Sequence, residues 1–227
     1  VPPVPSLFTF NIRDPRLAEL SGVSVSNVRV TVPVGGLETE GPLLITHWGL
    51  SGPAVLKMSA FGARWMADQD HRFTMYVNWL PQFEAEDLIE ELNSLRKDVS
   101  HQRKRVLSNA MFGIPLRLWR SLGAFARIPE SANWSDLSKP QLRKWAEVLT
   151  ESAFTVVGKS TNKDEFVTAG GISLSEVSFS TMESRVVSGL YFAGEVLDID
   201  ALTGGFNFQA AWTTGWIAGH AMAGSLI

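Results

Sequence analysis

Valine stands at positions 23, 25, 28, 30, 32 and 34, an every-second-residue rhythm with one slip near Asn27. Successive side chains of a strand point to opposite faces, so this rhythm calls for strands with one buried face and a break in register at the slip. Shorter runs of strand character lie at 43–46, 73–79, 154–157 and 165–168. In the middle of the chain the period changes. Pro81 followed by Glu84, Glu86 and Asp87 signals a helix start, because acids there oppose the amino-terminal dipole, and Leu88, Leu92, Leu95 and Val99 then recur at helical spacing as one buried stripe. A second helix is expected over 102–111. A third, over 139–151, places Leu142, Trp145, Ala146 and Leu149 behind a Ser138 cap. Upstream, VPPVPSLF reads as an extended connector, and Ser51-Gly52-Pro53 opens a helix to about Asp68 with Ser51 as its cap. A β-rich unit interrupted by a helical insertion follows from these periods.

The last forty residues have a different layout. Leu190, Tyr191, Phe192 and Ala193 form a short apolar run expected as a strand buried on both faces, and Gly194 ends it. Glu195, Asp198 and Asp200 follow, where a carboxylate beyond a strand's carboxyl end can accept hydrogen bonds from a ligand's hydroxyl groups. Gly204 and Gly205 then lead into a helix expected over about 207–225. Glycines there let a ligand approach bare backbone, and the unpaired N–H groups of a first turn favour electron-rich atoms. Asn207 and Gln209 add amides to the same end. Ala211, Gly215 and Gly219 recur every four residues, which predicts a flat face packed against a sheet, with Trp212 and Trp216 as packing residues. Residues 201–227 carry no formal charge, yet Asn207, Gln209, Thr213, Thr214 and His220 interrupt the apolar run, so a buried helix is preferred to a membrane span.

Residues 191–215, YFAGEVLDIDALTGGFNFQAAWTTG, resemble the carboxyl-terminal flavin motif of the HI0933-like (BaiN-type) flavoprotein family, GEVLDxDxxxGGYNxQxAxxxG, with Phe206 in place of the usual Tyr. Two upstream segments resemble further motifs of the same family: LLITHWGLSGPAVL at 43–56, with Trp48 where Phe is commoner, and VTAGGISLSEVSFSTMESR at 167–185, with Arg185 for Lys. The resemblance implies an α+β, multi-domain chain. A small β-barrel-like domain (1–80 and 153–183) would carry a helical insert domain (81–152). The last strand and helix of a Rossmann-like FAD-binding domain (184–227) would follow. It also implies FAD as cofactor, NAD(P)H as electron donor and reduction of a carbon–carbon double bond in an unidentified small-molecule or RNA substrate. Gly194, Glu195, Asp198, Gly204, Gly205, Phe206, Asn207 and Gln209 would hold the cofactor. Glu195 would meet its ribityl or pyrophosphate region, and the backbone of 204–207 its pyrimidine edge. The GxGxxG fingerprint that holds FAD pyrophosphate is absent from the 227 residues, so an amino-terminal FAD-binding segment is expected as partner, and the segment alone is expected to be inactive.

His47, within a Gly-flanked bend, is the candidate catalytic residue, since an imidazole there could protonate a substrate carbon. The competing reading is a hydrogen bond to backbone. His71 and His101 lie in charged surroundings and are expected to be solvated, and no histidine has metal-ligand spacing. Arg96, Lys97, Arg103, Lys104 and Arg105 make the local positive patch: a solvated helix end in the plain reading, a phosphate contact in the functional one. A non-catalytic module that binds RNA or protein through the barrel and this insert is therefore the alternative. The net charge of −3 gives no global case for nucleic acid or membrane binding. Zero cysteines exclude disulfides and thiolate catalysis within these residues, so redox electrons would have to reside on a bound cofactor. The compartment stays open, with cytoplasm or organelle favoured over export.

Overall fold

Six strands close into a barrel in the computed structural model, which describes residues 1–160, 167–202 and 205–224. They are β2 (Phe10–Ile12), β3 (Ser24–Val32), β4 (Leu37–Ile45), β5 (Gly49–Ser51), β6 (Phe73–Asn78) and β7 (Ser152–Lys159), joined in the order β2-β5-β4-β3-β6-β7 with every pairing antiparallel. The valine rhythm is the inner wall: Val25, Val28, Val30 and Val32 of β3 are buried, as are Leu43 and Ile45 of β4. The slip near Asn27 is a β-bulge. Val25 pairs with Leu43 and Val28 with Gly41, so β3 spends one residue more than its partner and bends, as closure requires. Strand β4 begins at Leu37, before the expected Leu43, and tolerates Pro42 because that residue lies opposite the bulge, where no ladder pair is formed.

The expected helix at 53–68 is two helices, α1 (Pro53–Phe61) and α2 (Ala63–Asp68), broken at Gly62. Ser51 does not cap it. Gly52 occupies the cap, and Ser51 Oγ instead meets Thr9 Oγ1 at 3.0 Å. The opening segment is more than a connector, since β1 (Val4–Ser6) pairs antiparallel with β8 (Val167–Ala169). That pairing is the strand expected from residue 165 onward, its first two residues lying outside the described ones.

The helices between β6 and β7 are α3 (Ala85–Lys97), α4 (Leu116–Phe125) and α5 (Lys139–Thr150). Leu88, Leu92 and Leu95 are buried as their spacing required, but Val99 is 81% exposed, because α3 ends at Lys97. Ser138 caps α5 in a reciprocal capping box with Gln141. The helix expected at 102–111 does not form. Successive turns run there, and the helix comes later, after Pro115, where Leu118, Trp119 and Leu122 supply the buried stripe. The proline start followed by that spacing was the available signal. Trp79, Trp119, Trp134 and Trp145 are buried at the centre, with Trp119 and Trp145 edge to face at 4.7 Å and Trp119 Nε1 donating to the Val106 carbonyl at 2.8 Å. Their cluster is continuous with the barrel interior, so insert and barrel share one core.

Arg16 is the polar bolt of that shared core. It is 6% exposed, and its guanidinium lies 4.0 Å from the Phe154 ring centre on β7 and 4.4 Å from Phe125 on α4. It donates to both Asp14 carboxylate oxygens and to the Ala153 carbonyl, while Ser121 of α4 donates to the Arg16 carbonyl. Burial alone would raise the Asp14 carboxyl, but hydrogen bonds from the Arg16 side chain and N–H, with its charge, hold it below its ordinary value. Arg16→Ala is expected to cost about 3 kcal/mol in urea unfolding, because it leaves a half-buried carboxylate unpaired. Arg16→Lys should recover little of this, since an ammonium cannot make the two-pronged contact. A loss below about 1 kcal/mol would remove Arg16 from this role.

Candidate functional site

Beyond the barrel, a second and smaller core gathers Val177, Met182, Leu197 and Ala218. The hairpin of β9 (Val177–Ser178) and β10 (Glu183–Ser184) forms one side and α6 (Phe206–Gly224) the other. Gly171, with φ at +132°, lets the chain from β8 run beside the 194–197 segment: a Cβ there would stand 2.3 Å from the Val196 carbonyl oxygen. Ile172 N–H then donates to that carbonyl at 2.8 Å, and Asp198 N–H to the Ile172 carbonyl at 3.0 Å. The run at 190–193 does not form the expected strand. Within this run, only Tyr191 makes a ladder bridge among the described residues, to Glu183, because the strand beside it, β10, is two residues long, and Leu190 is exposed.

A cleft of about 380 Å³ opens where the short 3-10 turn Gly194–Val196 faces the start of α6. Gly194, Glu195, Gly205 and Asn207 line it, and Leu7, Val167, Ile199, Leu202 and Phe208 give it mostly apolar walls. Four of the expected cofactor residues are therefore brought together. Asp198, Phe206 and Gln209 are not on its lining, and Gly204 lies outside the described residues. Asp198 instead pairs with Arg64 of α2 at 3.2 Å, tying the turn to the barrel side. Gln209 donates to Thr213 Oγ1 along its own helix, and Phe206 projects outward. The Asn207 amide is also spent structurally: its Oδ1 accepts from Ala201 N–H at 2.8 Å and its Nδ2 donates to the Ala201 carbonyl at 2.9 Å, closing the loop before α6.

Sequence reasoning missed Thr214, which fixes the turn to the helix. Its Oγ1 accepts from Gly194 N–H at 3.0 Å and donates to the Ala210 carbonyl at 2.7 Å. A threonine one turn beyond the cleft-lining Ala210 and Ala211 was the only signal. Thr214 and Ala218 are the buried residues of α6. The expected flat face of Ala211, Gly215 and Gly219 is not the packed one, because each four-residue step advances about 40° around the helix. Ala211 reaches the cleft, while a Cβ at Gly215 or Gly219 would meet nothing. Trp212 and Trp216, expected to pack, are 71% and 66% exposed. Gly224 is the last described residue of α6, so the expected end at residue 225 lies outside the described ones.

His47 is not on the cleft lining and is exposed on the three-residue turn between β4 and β5, where Thr46 Oγ1 accepts from the N–H groups of Trp48 and Gly49. His71 is not solvated as expected: it stands edge-on to Phe8 at 5.2 Å, and burial pushes its pKa down. Among the described residues no helix is long and apolar enough to cross a membrane.

Asp200 receives a hydrogen bond from Ser6 Oγ at 3.3 Å, yet burial, helped by Asp198, raises its pKa above the ordinary value of 3.8. A proton held more tightly in the folded state stabilises it below the ordinary carboxylate range, and that contribution is lost as pH rises through the elevated value. Asp200→Asn should therefore unfold at higher urea than the parent at neutral pH and show no gain below about pH 4. A gain that is the same at both pH values would refute the assignment. Thr214→Val, which leaves Gly194 N–H without its acceptor, should cost about 1–3 kcal/mol and accelerate hydrogen exchange at Gly194. Thr214→Ser should restore both, and unchanged exchange in the valine variant would show the bond to be dispensable.

A closed barrel with a helical insert is thus continued by a Gly-rich turn that meets a helix start over an apolar cleft. The family described as HI0933-like protein barrel and H2TH domain matches residues 4–167, and the chain belongs to that family. It is 33% identical over 213 residues to a ribosomal RNA dihydrouridine synthase of Escherichia coli, covering 92% of this chain and 50% of that protein. A protein of the same description from Haemophilus influenzae is 33% identical over 219 residues, 95% of this chain and 51% of the relative. A 3-dehydro-bile acid delta(4,6)-reductase of Clostridium scindens is 28% identical over 225 residues, 98% of this chain and 54% of the relative. The chain thus spans about half the length of the curated relatives it matches.

Proposed function

We propose that this chain is the carboxyl-terminal portion of an FAD-dependent oxidoreductase that reduces a carbon–carbon double bond with electrons from NAD(P)H. The observation that carries the reading is the convergence of Gly194, Glu195, Gly205 and Asn207 on one apolar cleft at a helix start. The reductase and the two dihydrouridine synthases among its relatives support the reaction class by their names. The cleft volume lies near the lower end of the roughly 300–1,000 Å³ of small-molecule pockets, enough for part of a dinucleotide. The remainder of the cofactor would be held by an amino-terminal FAD-binding segment. The apolar side chains that α6 exposes, Phe206, Phe208, Trp212 and Trp216, offer it a surface to cover.

The donor set suits a flavin. Bare backbone at Gly205, φ +86°, admits close approach to the first turn of α6, whose N–H groups have no carbonyl partner within the helix and favour an electron-rich edge. Glu195, whose Oε1 accepts from Thr168 N–H at 3.4 Å, has a second oxygen to accept from a ligand hydroxyl. The walls from Leu7, Ile199 and Leu202 keep water from a flat ring. When bound, the flavin supplies hydride transfer. His47 keeps the role of proton donor to a substrate that reaches the exposed β4–β5 turn. The alternative, a non-catalytic module for RNA or protein, draws on the cationic loop at 103–105 and gives the cleft no purpose.

Co-expression with an amino-terminal segment carrying the pyrophosphate fingerprint is expected to yield a yellow complex. Glu195→Ala should weaken flavin retention roughly 10-fold, the worth of one charged hydrogen bond. Gly205→Val should abolish it, because a β-branched residue resists positive φ. A folded complex without flavin absorbance, or full retention by both variants, overturns the reading.

A further inference from the structure

Trp48 is 63% exposed and, among the described residues, is the one exposed tryptophan outside α6, whereas Trp79, Trp119, Trp134 and Trp145 are at most 2% exposed. An indole left in water stabilises no core and offers a flat apolar face to what docks on it. The stem beneath it is fixed. Thr46 N–H donates to the Gly49 carbonyl at 2.8 Å, Thr46 Oγ1 accepts from the N–H groups of Trp48 and Gly49 at 3.3 and 3.1 Å, and the Trp48 carbonyl accepts from Ile12 N–H at 2.8 Å. Gly49, at φ +151°, lies so close to β2 that a Cβ there would stand 2.3 Å from the Phe10 carbonyl oxygen. The indole is therefore presented from a backbone with little freedom left to lose on binding.

The residue that pairs with Gly49 adds a second observation. Asn11 belongs to the outer face of the barrel, since Phe10 and Ile12 on either side of it are buried, and its ladder partners on β5 and β7 are both glycines, Gly49 and Gly158. Among the described residues a Cβ at Gly158 would meet only the Asn11 amide, at 4.0 Å, so open space adjoins that side chain. Asn11 Nδ2 donates to the Lys159 carbonyl at 2.7 Å, but Oδ1 is buried and accepts from no donor. A buried amide oxygen left without a donor is costly, and a donor that arrives with a ligand removes the cost. On the same strands Thr9 Oγ1 meets Ser51 Oγ at 3.0 Å, two residues along the chain from the cleft-lining Leu7. We propose that Trp48 and Asn11 form the seat of the substrate: a flat, uncharged, unsaturated ring stacks on the indole, and an N–H or O–H on that ring donates to Asn11 Oδ1. The ring is thereby set beside His47, the residue before Trp48. That the occupant is the substrate rests on the reductase reading above, whereas the seat itself belongs to the barrel and needs no flavin.

The test uses the isotope-labelled 227-residue chain without flavin and three small amides followed by NMR titration. They are 2-pyridone, flat with an N–H, its N-methyl derivative, flat without one, and 2-piperidone, which keeps the N–H on a puckered ring. 2-Pyridone is expected to shift, saturably, the Asn11 side-chain amide and the Trp48 indole N–H, the latter identified by its loss in Trp48→Leu. The N-methyl derivative should bind about 5-fold more weakly and 2-piperidone at least about 10-fold. Read from the Asn11 amide, Trp48→Leu should weaken 2-pyridone at least about 10-fold and Trp48→Phe less than about 3-fold. Phe179→Leu, which removes another exposed ring, from the turn between β9 and β10, should change it less than about 2-fold. Thermal melts confirm that the variants are folded. No saturable shift in the parent chain, equal affinity for the three amides, or equal losses in the two leucine variants would overturn the seat. Since no flavin takes part, that result leaves the cofactor reading standing, whereas a colourless complex in the co-expression experiment removes the substrate assignment and leaves the seat.

Discussion

Strand β7 is hydrogen-bonded to β6 on one side and β2 on the other, and the fold depends on that double pairing. It begins only after the whole helical insert has been traversed, so the barrel cannot close until α3, α4 and α5 have returned the chain to the end of β6. The return is secured locally, where Trp79 N–H donates to the Leu149 carbonyl at 2.9 Å. Arg16 then locks the closed edge, lying between Phe154 of β7 and Phe125 of the insert. A non-local closure of this kind carries an entropy cost that only long-range burial can offset, and the buried tryptophans of the insert provide it.

The cleft is a consequence of the same closure. β1 and β8 flank the barrel strands in sequence, and their pairing brings Leu7 and Val167 to the mouth of a site whose polar residues come from 194–207. Ser6 with Asp200 and Arg64 with Asp198 connect the two cores by side-chain bonds. The glycines of the 167–185 motif allow a backbone approach that no side chain would permit, while the carboxylates that looked like ligands partly serve as braces. In this chain binding chemistry and structural bracing draw on the same few residues.

Much of this was legible in the chain itself, for particular reasons. The valine rhythm and its slip gave β3 and its bulge because a period of two has only one reading when one face is buried. The capping box at Ser138 and the leucine stripe of α3 were equally direct. The run expected at 43–46 is only the end of β4, which starts at Leu37, and the bulge opposite Pro42 removes the need for its missing N–H. Helix α4 was misplaced because 102–111 has helical composition, but its backbone groups bond across to 132–135 instead of along a helix. Local composition does not reveal which distant segment competes for a hydrogen bond.

By itself the sequence determined the alternation of strand and helix periods, the Gly-rich turn with its carboxylates, and the family likeness those residues carry. The tertiary structure decided which polar groups are free. Asp198 is tied to Arg64 and the Asn207 amide to Ala201, Asn207 still lines the cleft with Gly194, Glu195 and Gly205, and Thr214 holds the turn on its helix. It also decided that α6 buries its Thr214 and Ala218 side and leaves its aromatic side chains outside. The reason is that a residue type specifies what bonds are available, while only the folded arrangement of distant segments specifies which of them are already satisfied.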